Sequence, residues 1–176
     1  VKTLVLGIGN ILLGDEGIGV WVVESLRRRY QFPSSTTVLE GGTLGLDLLP
    51  QLQDVSRLLV VDAVQLGGEP GEIVRLEGDE VPRAIDVKVS PHQIGIKELL
   101  ATARLMGCEP PKVVLWGMEP ECVEPGADFS PKVARALPLL QTSVLKELKR
   151  WGVRPKRVVG ATPPPAWWQA PARKYS

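Results

Sequence analysis

Three short runs, TLVLGIG (residues 3–9), RLLVVDA (57–63) and PKVVLWGM (111–118), are aliphatic at nearly every position. Strands without a polar face must be covered on both sides, so these runs demand a sheet buried between two layers. The intervening segments have the pattern of such layers. IGVWVVESLRRRY (18–30) repeats Val20, Val23 and Leu26 on one side and ends in Arg27, Arg28 and Arg29, whose charge suits a helix C-terminus. TTVLEGG (36–42) reads as a second strand, and TLGLDLLPQLQ (43–53) as a second helix interrupted by Pro50. EPGEIVRLE (69–77) reads as a turn and a more polar, edge-like strand. IGIKELLATARLMG (94–107) follows as a helix, and PKVARALPLLQTSVLKELKRWG (131–152) as a long final one with an irregularity expected at Pro138. Buried strands alternating with amphipathic helices predict a three-layer α/β/α fold without internal repeats.

The 176 residues are 44% apolar, enough for one domain with a sizeable core. From residue 152 the composition changes. The last 25 residues hold Arg154, Lys156, Arg157, Arg173 and Lys174, no acid, a PPP run and the pair Trp167 and Trp168. The whole chain carries a formal +1, so its first 151 residues carry −4. A body of that sign offers no basic field for nucleic acid. The expected organisation is one domain over 1–151 and a basic, flexible C-terminal tail over 152–176. No apolar run reaches the roughly 18 residues of a membrane span, and the opening VKTLVLGIG lacks the layout of a signal peptide. Cys108 and Cys122 stand apart without a CxxC, which supports neither a thiolate zinc site nor a disulfide scaffold. These features predict a soluble, cytoplasmic protein.

GIGN after the first strand invites a dinucleotide-binding reading. Gly7 and Gly9 fit two glycines of GxGxxG, but Leu12 occupies the third position. The first acid of the second strand, Glu40, lies well beyond the spacing of about twenty residues that ribose recognition requires. A tight strand-to-loop turn accounts for the glycines. Nucleophilic hydrolysis finds equally little: there is one histidine, no GxSxG, and no electropositive setting for either cysteine.

Three groups then stand out at strand ends. Glu16 lies in the loop after the first strand, Asp62 ends the third, and His92 precedes the helix after the fourth. In an open α/β sheet the carboxyl ends of the strands converge on a crevice where ligands bind. Two carboxylates and an imidazole there suit a transition-metal ion such as nickel or zinc, with coordination positions left open. Each also has an ordinary reading: Glu16 as a helix N-terminal charge, Asp62 as a turn cap, His92 as a structural imidazole. The residue chemistry leaves both readings standing. Glu119 reads as a loop acid, Trp116 as core or cleft wall, and Leu44, Leu46, Leu48 and Leu49 as helix-packing residues.

Taken in order, GIGNILLGDEGIGV, EGGTLGLDLL, LLVVDAV and SPHQIGIKELL resemble the hydrogenase maturation endopeptidases over about residues 3–150. The resemblance implies a cytoplasmic enzyme that removes the C-terminal extension of a nickel-iron hydrogenase large-subunit precursor after nickel insertion. It implies that Glu16, Asp62 and His92 bind the metal, and that the precursor itself supplies the nickel on its cysteine thiolates. Zinc or cadmium is expected to substitute in vitro. Asp15 and Glu16 are the candidates for a catalytic base, and Gly42 and Thr43 for the substrate cleft. The implied fold is a five-stranded mixed sheet with its fourth strand antiparallel. The implied partner is the nickel-loaded precursor, with no nucleic acid and no membrane insertion, and the enzyme is expected to be a monomer. A metal-responsive module that binds the precursor without cutting it is the alternative reading.

Overall fold

A computed structural model describes residues 1–85 and 91–164. In chain order its elements are β1 (Lys2–Ile8), a 3-10 turn (Gly14–Gly17), α1 (Ile18–Arg29), β2 (Tyr30–Gln31) and β3 (Thr36–Gly42). A longer 3-10 segment (Gly45–Leu52), β4 (Val55–Ala63), β5 (Ile73–Glu77), α2 (Glu80–Ile85) and α3 (Pro91–Leu105) follow. The last elements are β6 (Lys112–Met118), α4 (Pro131–Arg150) and β7 (Lys156–Arg157).

Five strands form one sheet in the order β3-β1-β4-β6-β5, parallel except where β5 runs against β6. Strand alternation divides the core. Leu4, Leu6, Leu58, Val60, Val113 and Leu115 face one way, into a cluster with Leu48, Leu52, Ile96 and Leu99 from the 3-10 segment and α3. Val5, Leu59, Val61 and Val114 face the other way, against α1 and α4. The aliphatic runs are thus buried on both sides, as their composition requires. From β1 the chain first places β3 on one side and then β4 on the other. That reversal opens a crevice at the carboxyl ends of β1 and β4.

The departures from the sequence reading have local causes. Residues 45–52 form a 3-10 rather than an α-helix: Pro50 has no N–H to donate, and a short tight segment tolerates this better than an α-helical interior. Within it Leu48 and Leu52 pack inward, whereas Leu44 and Leu46 are 54% and 45% exposed, so these two are not packing residues. Helix α3 starts at Pro91, earlier than the apolar pattern suggests, which puts His92 inside its first turn rather than before it. Pro138 does not break α4: it sits on the exposed side, where water can serve the carbonyl that lost its donor.

The helix α2 and the β2–β7 pair had no recognisable pattern. Lys156 and Arg157 pair with Gln31 and Tyr30, and Val153 is buried at 7% exposure. The first part of the expected tail is therefore bound to the body. Trp167 and Trp168 lie outside the described residues.

Candidate functional site

Gly9, the last glycine of GIGN, organises the crevice. Its φ of +132° is open to glycine and rarely to other residues. A Cβ there would lie 1.8 Å from the Glu16 carbonyl oxygen and 3.8 Å from an Asp62 carboxylate oxygen. The backbone at Glu16 and the side chain of Asp62 therefore meet over this one residue. The Gly9 N–H donates to the Gly42 carbonyl at 3.0 Å, drawing the GGT turn to the same place, with Thr43 exposed beside it. The remaining glycines serve close approach of α1 to the sheet. A Cβ on Gly19 would lie 2.1 Å from the Val61 carbonyl and 2.3 Å from that of Ile8.

Asp62 follows Leu58 and Val60 in the strand alternation, so it leaves the sheet on the face covered by the 3-10 segment and α3. It is buried at 1% exposure, whereas Glu16 is partly exposed. Helix α3 packs through Gly95 against Gly45, just after the GGT turn. His92 lies three residues before Gly95 in that helix. Its side chain lies outside the described residues. Among the described residues no three His, Cys, Asp or Glu side chains are grouped to hold a metal ion. The described part of the site is thus Asp62 at the end of β4 and Glu16 in the 3-10 turn after β1, with α3, which carries His92, packed on the segment that follows the GGT turn.

Asp15 has a different position from its neighbour. It is fully buried, and its carboxylate accepts from the Glu121 N–H (2.8 Å), the Cys122 N–H (2.9 Å), the Ser130 N–H (2.8 Å) and the Ser130 Oγ–H (2.8 Å). Its own N–H donates to the Cys122 carbonyl at 2.8 Å. Four acceptor positions are about what a carboxylate offers. Asp15 is a clasp that ties the loop after β6 and the start of α4 to the residue before Glu16. Ser130 was invisible as a site residue: Ser-Pro marks a helix start, but nothing local shows that its hydroxyl serves an acid far upstream.

Glu119 is half-buried and accepts from the Leu66 N–H at 2.8 Å, so it joins the loops after β4 and β6. Trp116 packs against the α1 and α4 side of the core. Two open clefts, of about 280 and 390 Å³, lie at the other end of the molecule. One is lined by Gly78, Arg104 and Pro111, the other by Phe32, Arg154 and Lys156.

An open, mostly parallel α/β sheet with a buried acid at the end of one central strand and a second acid in the loop after its neighbour defines a class of small single-crevice α/β proteins. Comparison with known proteins narrows it. Residues 20–147 match the family model described as hydrogenase maturation protease. The chain is 40% identical over 154 residues to the hydrogenase 2 maturation protease of Escherichia coli K12, covering 87% of this chain and 94% of that one. It is 42% identical over 158 residues to the hydrogenase expression/formation protein HupD of Bradyrhizobium diazoefficiens, covering 89% and 82%. The solved structure of the hydrogenase maturating endopeptidase HybD of E. coli superposes with a TM-score of 0.85 at 38% identity, covering 89% of this chain and 98% of that one. The chain belongs to the hydrogenase maturation protease family and is an endopeptidase. The mixed five-stranded sheet is shared with that structure. No described helix is long and apolar enough to cross a membrane.

Proposed function

We propose that this endopeptidase removes the C-terminal extension of a nickel-iron hydrogenase large-subunit precursor, and that it reads the precursor's nickel through Glu16, Asp62 and His92. The observation that carries this reading is the convergence of the Glu16 backbone and the Asp62 carboxylate on Gly9, at the point where the strand order reverses. Carboxylates and an imidazole suit a borderline divalent ion such as nickel. Bound to precursor thiolates, the metal belongs to the substrate and needs only part of its shell from the enzyme. A precursor without the metal brings no cation to these residues, so it would lack the contact that orients it.

In this reading the three residues orient the precursor and hold its scissile peptide at the rim. Glu16, partly exposed at the crevice, is the better placed of the two candidates for a base, because the Asp15 oxygens are occupied by four donors. The test is intact mass after mixing the protein with nickel-loaded and metal-free precursor. Loss of a C-terminal peptide from the nickel-loaded form alone is the expected result. Binding without mass loss would instead favour a non-catalytic precursor-binding module, and cleavage of both forms would remove nickel recognition.

A further inference from the structure

Five large apolar side chains stand exposed on the loops that surround the crevice. Leu12 is 68% exposed, Leu44 54%, Leu46 45%, Leu66 38% and Val123 40%. They leave the carboxyl ends of β1, β3, β4 and β6, which are consecutive in the sheet order β3-β1-β4-β6. Backbone bonds hold these loops side by side. The Gly126 N–H donates to the Leu12 carbonyl at 2.9 Å, and the Gly9 N–H to the Gly42 carbonyl at 3.0 Å. The Leu66 N–H donates to Glu119 at 2.8 Å.

The loops themselves are acidic. The loop segments 9–17, 40–47, 62–72 and 119–130 contain eleven Asp or Glu and no Lys or Arg. The other end is mixed: Arg27, Arg28 and Arg29 close α1 and Arg154, Lys156 and Arg157 surround β7, while Asp79 and Glu109 pair with Arg104. Exposed apolar residues scattered singly need no explanation. Several of them on adjoining loops that are themselves acidic, with Lys132 paired to Glu69 beside them, mark a surface shaped for a partner. That partner must bring apolar side chains to cover the leucines and cationic ones to answer the acids.

Resting on the proposed function, we propose that Leu12, Leu44, Leu46, Leu66 and Val123 form the docking rim for the precursor. The segment seated there carries apolar side chains interspersed with lysine or arginine. The rim is continuous with Glu16 and Asp62, so docking delivers that segment directly to the crevice.

The test measures the Kd of full-length nickel-loaded precursor for the wild-type protein, for the double variant Leu12→Ser with Leu66→Ser, and for a control, Leu105→Ser with Met106→Ser. The control residues are 87% and 67% exposed at the far end of α3. The rim variant should bind about tenfold more weakly and the control like wild type. Wild-type affinity should also fall as salt rises from about 0.05 to about 0.3 M. Unchanged binding by the rim variant, or affinity indifferent to salt, would overturn the proposal. So would a rim variant that alters only self-association, because the occupant would then be a second copy. If wild type binds, the rim variant binds weakly and no peptide is lost, the rim stands and the processing function falls.

Discussion

Gly95 of α3 rests directly on Gly45 of the 3-10 segment: a Cβ on Gly95 would lie 2.8 Å from the Gly45 Cα. This contact fixes where the first turn of α3 starts, and that turn includes His92. Alanine at a helical position is intrinsically favoured over glycine by about 1 kcal/mol, which offsets part of the clash. Gly95→Ala should therefore leave the urea midpoint within about 1 kcal/mol of wild type while pushing the start of α3 outward. The expected cost is about tenfold in kcat/KM for precursor processing. Unaltered kcat/KM would show that the packing of α3 does not set the site.

The Asp15 clasp should be costly to open. Asp15→Asn keeps the shape but turns one acceptor oxygen into a donor group facing other donors. Asp15→Ala leaves the Glu121, Cys122 and Ser130 donors without their partner. Losses of about 2 kcal/mol for Asn and about 3 kcal/mol for Ala are expected by urea unfolding, since charged buried hydrogen bonds are the strong ones. A loss under about 0.5 kcal/mol for both would mean that water replaces the carboxylate without penalty.

The proposed metal contacts predict a different pattern. Glu16→Gln and His92→Ala should keep the unfolding transition near wild type and lower processing of nickel-loaded precursor by roughly a hundredfold. Circular dichroism melts and the intact-mass assay together separate this from misfolding. Near-wild-type cleavage by His92→Ala would remove that residue from the site.

Acid stability should depend on one ion pair on the other side of the sheet. Arg75 of β5 donates to Glu147 of α4 at 2.9 and 3.0 Å, and Glu147 is 2% exposed. The hydrogen bonds from Arg75, with its charge, hold the Glu147 carboxyl below its ordinary 4.5 against the opposing effect of burial. A carboxyl depressed in the folded state contributes stability that is full above its unfolded value. That contribution is lost as pH falls from about 4.5 through the lower folded value. Glu147→Gln should cost about 2 kcal/mol at neutral pH. The difference from wild type should shrink below pH of about 4 in urea titrations, and a difference constant with pH would contradict the assignment.

Much of this architecture can be read from composition, and the limits have physical causes. Strands buried on both faces declare themselves by continuous aliphatic runs, so β1, β4 and β6 were plain, as was the edge character of EIVRLE. The 3-10 segment was mistaken for an α-helix because its leucines recur at helical spacing, while Pro50 selects the tighter geometry. Asp62 was legible as a strand-end acid and Glu16 as an acid of the loop after β1, and Gly9 lies against both the Glu16 backbone and the Asp62 carboxylate. The task of Asp15 was not legible. It depends on donors more than a hundred residues away, which no local pattern reveals. The exposed Leu44 and Leu46 were hidden for the same reason as the 3-10 segment: spacing shows which residues are apolar, not which of them find cover.

The distance between Asp15 and its donors also sets an order of events. Glu121 and Ser130 lie 106 and 115 residues downstream, so a chain emerging from the ribosome presents GDEG long before the donors exist. Until they arrive the Asp15 charge belongs in water, and the loop that aims Glu16 has nothing to close against. Contacts of such sequence separation form late, once most loop-closure entropy has been met elsewhere. The crevice should therefore be among the last parts of the molecule to take shape. A nascent or truncated chain would carry every motif of the site and still be unable to cut a neighbour.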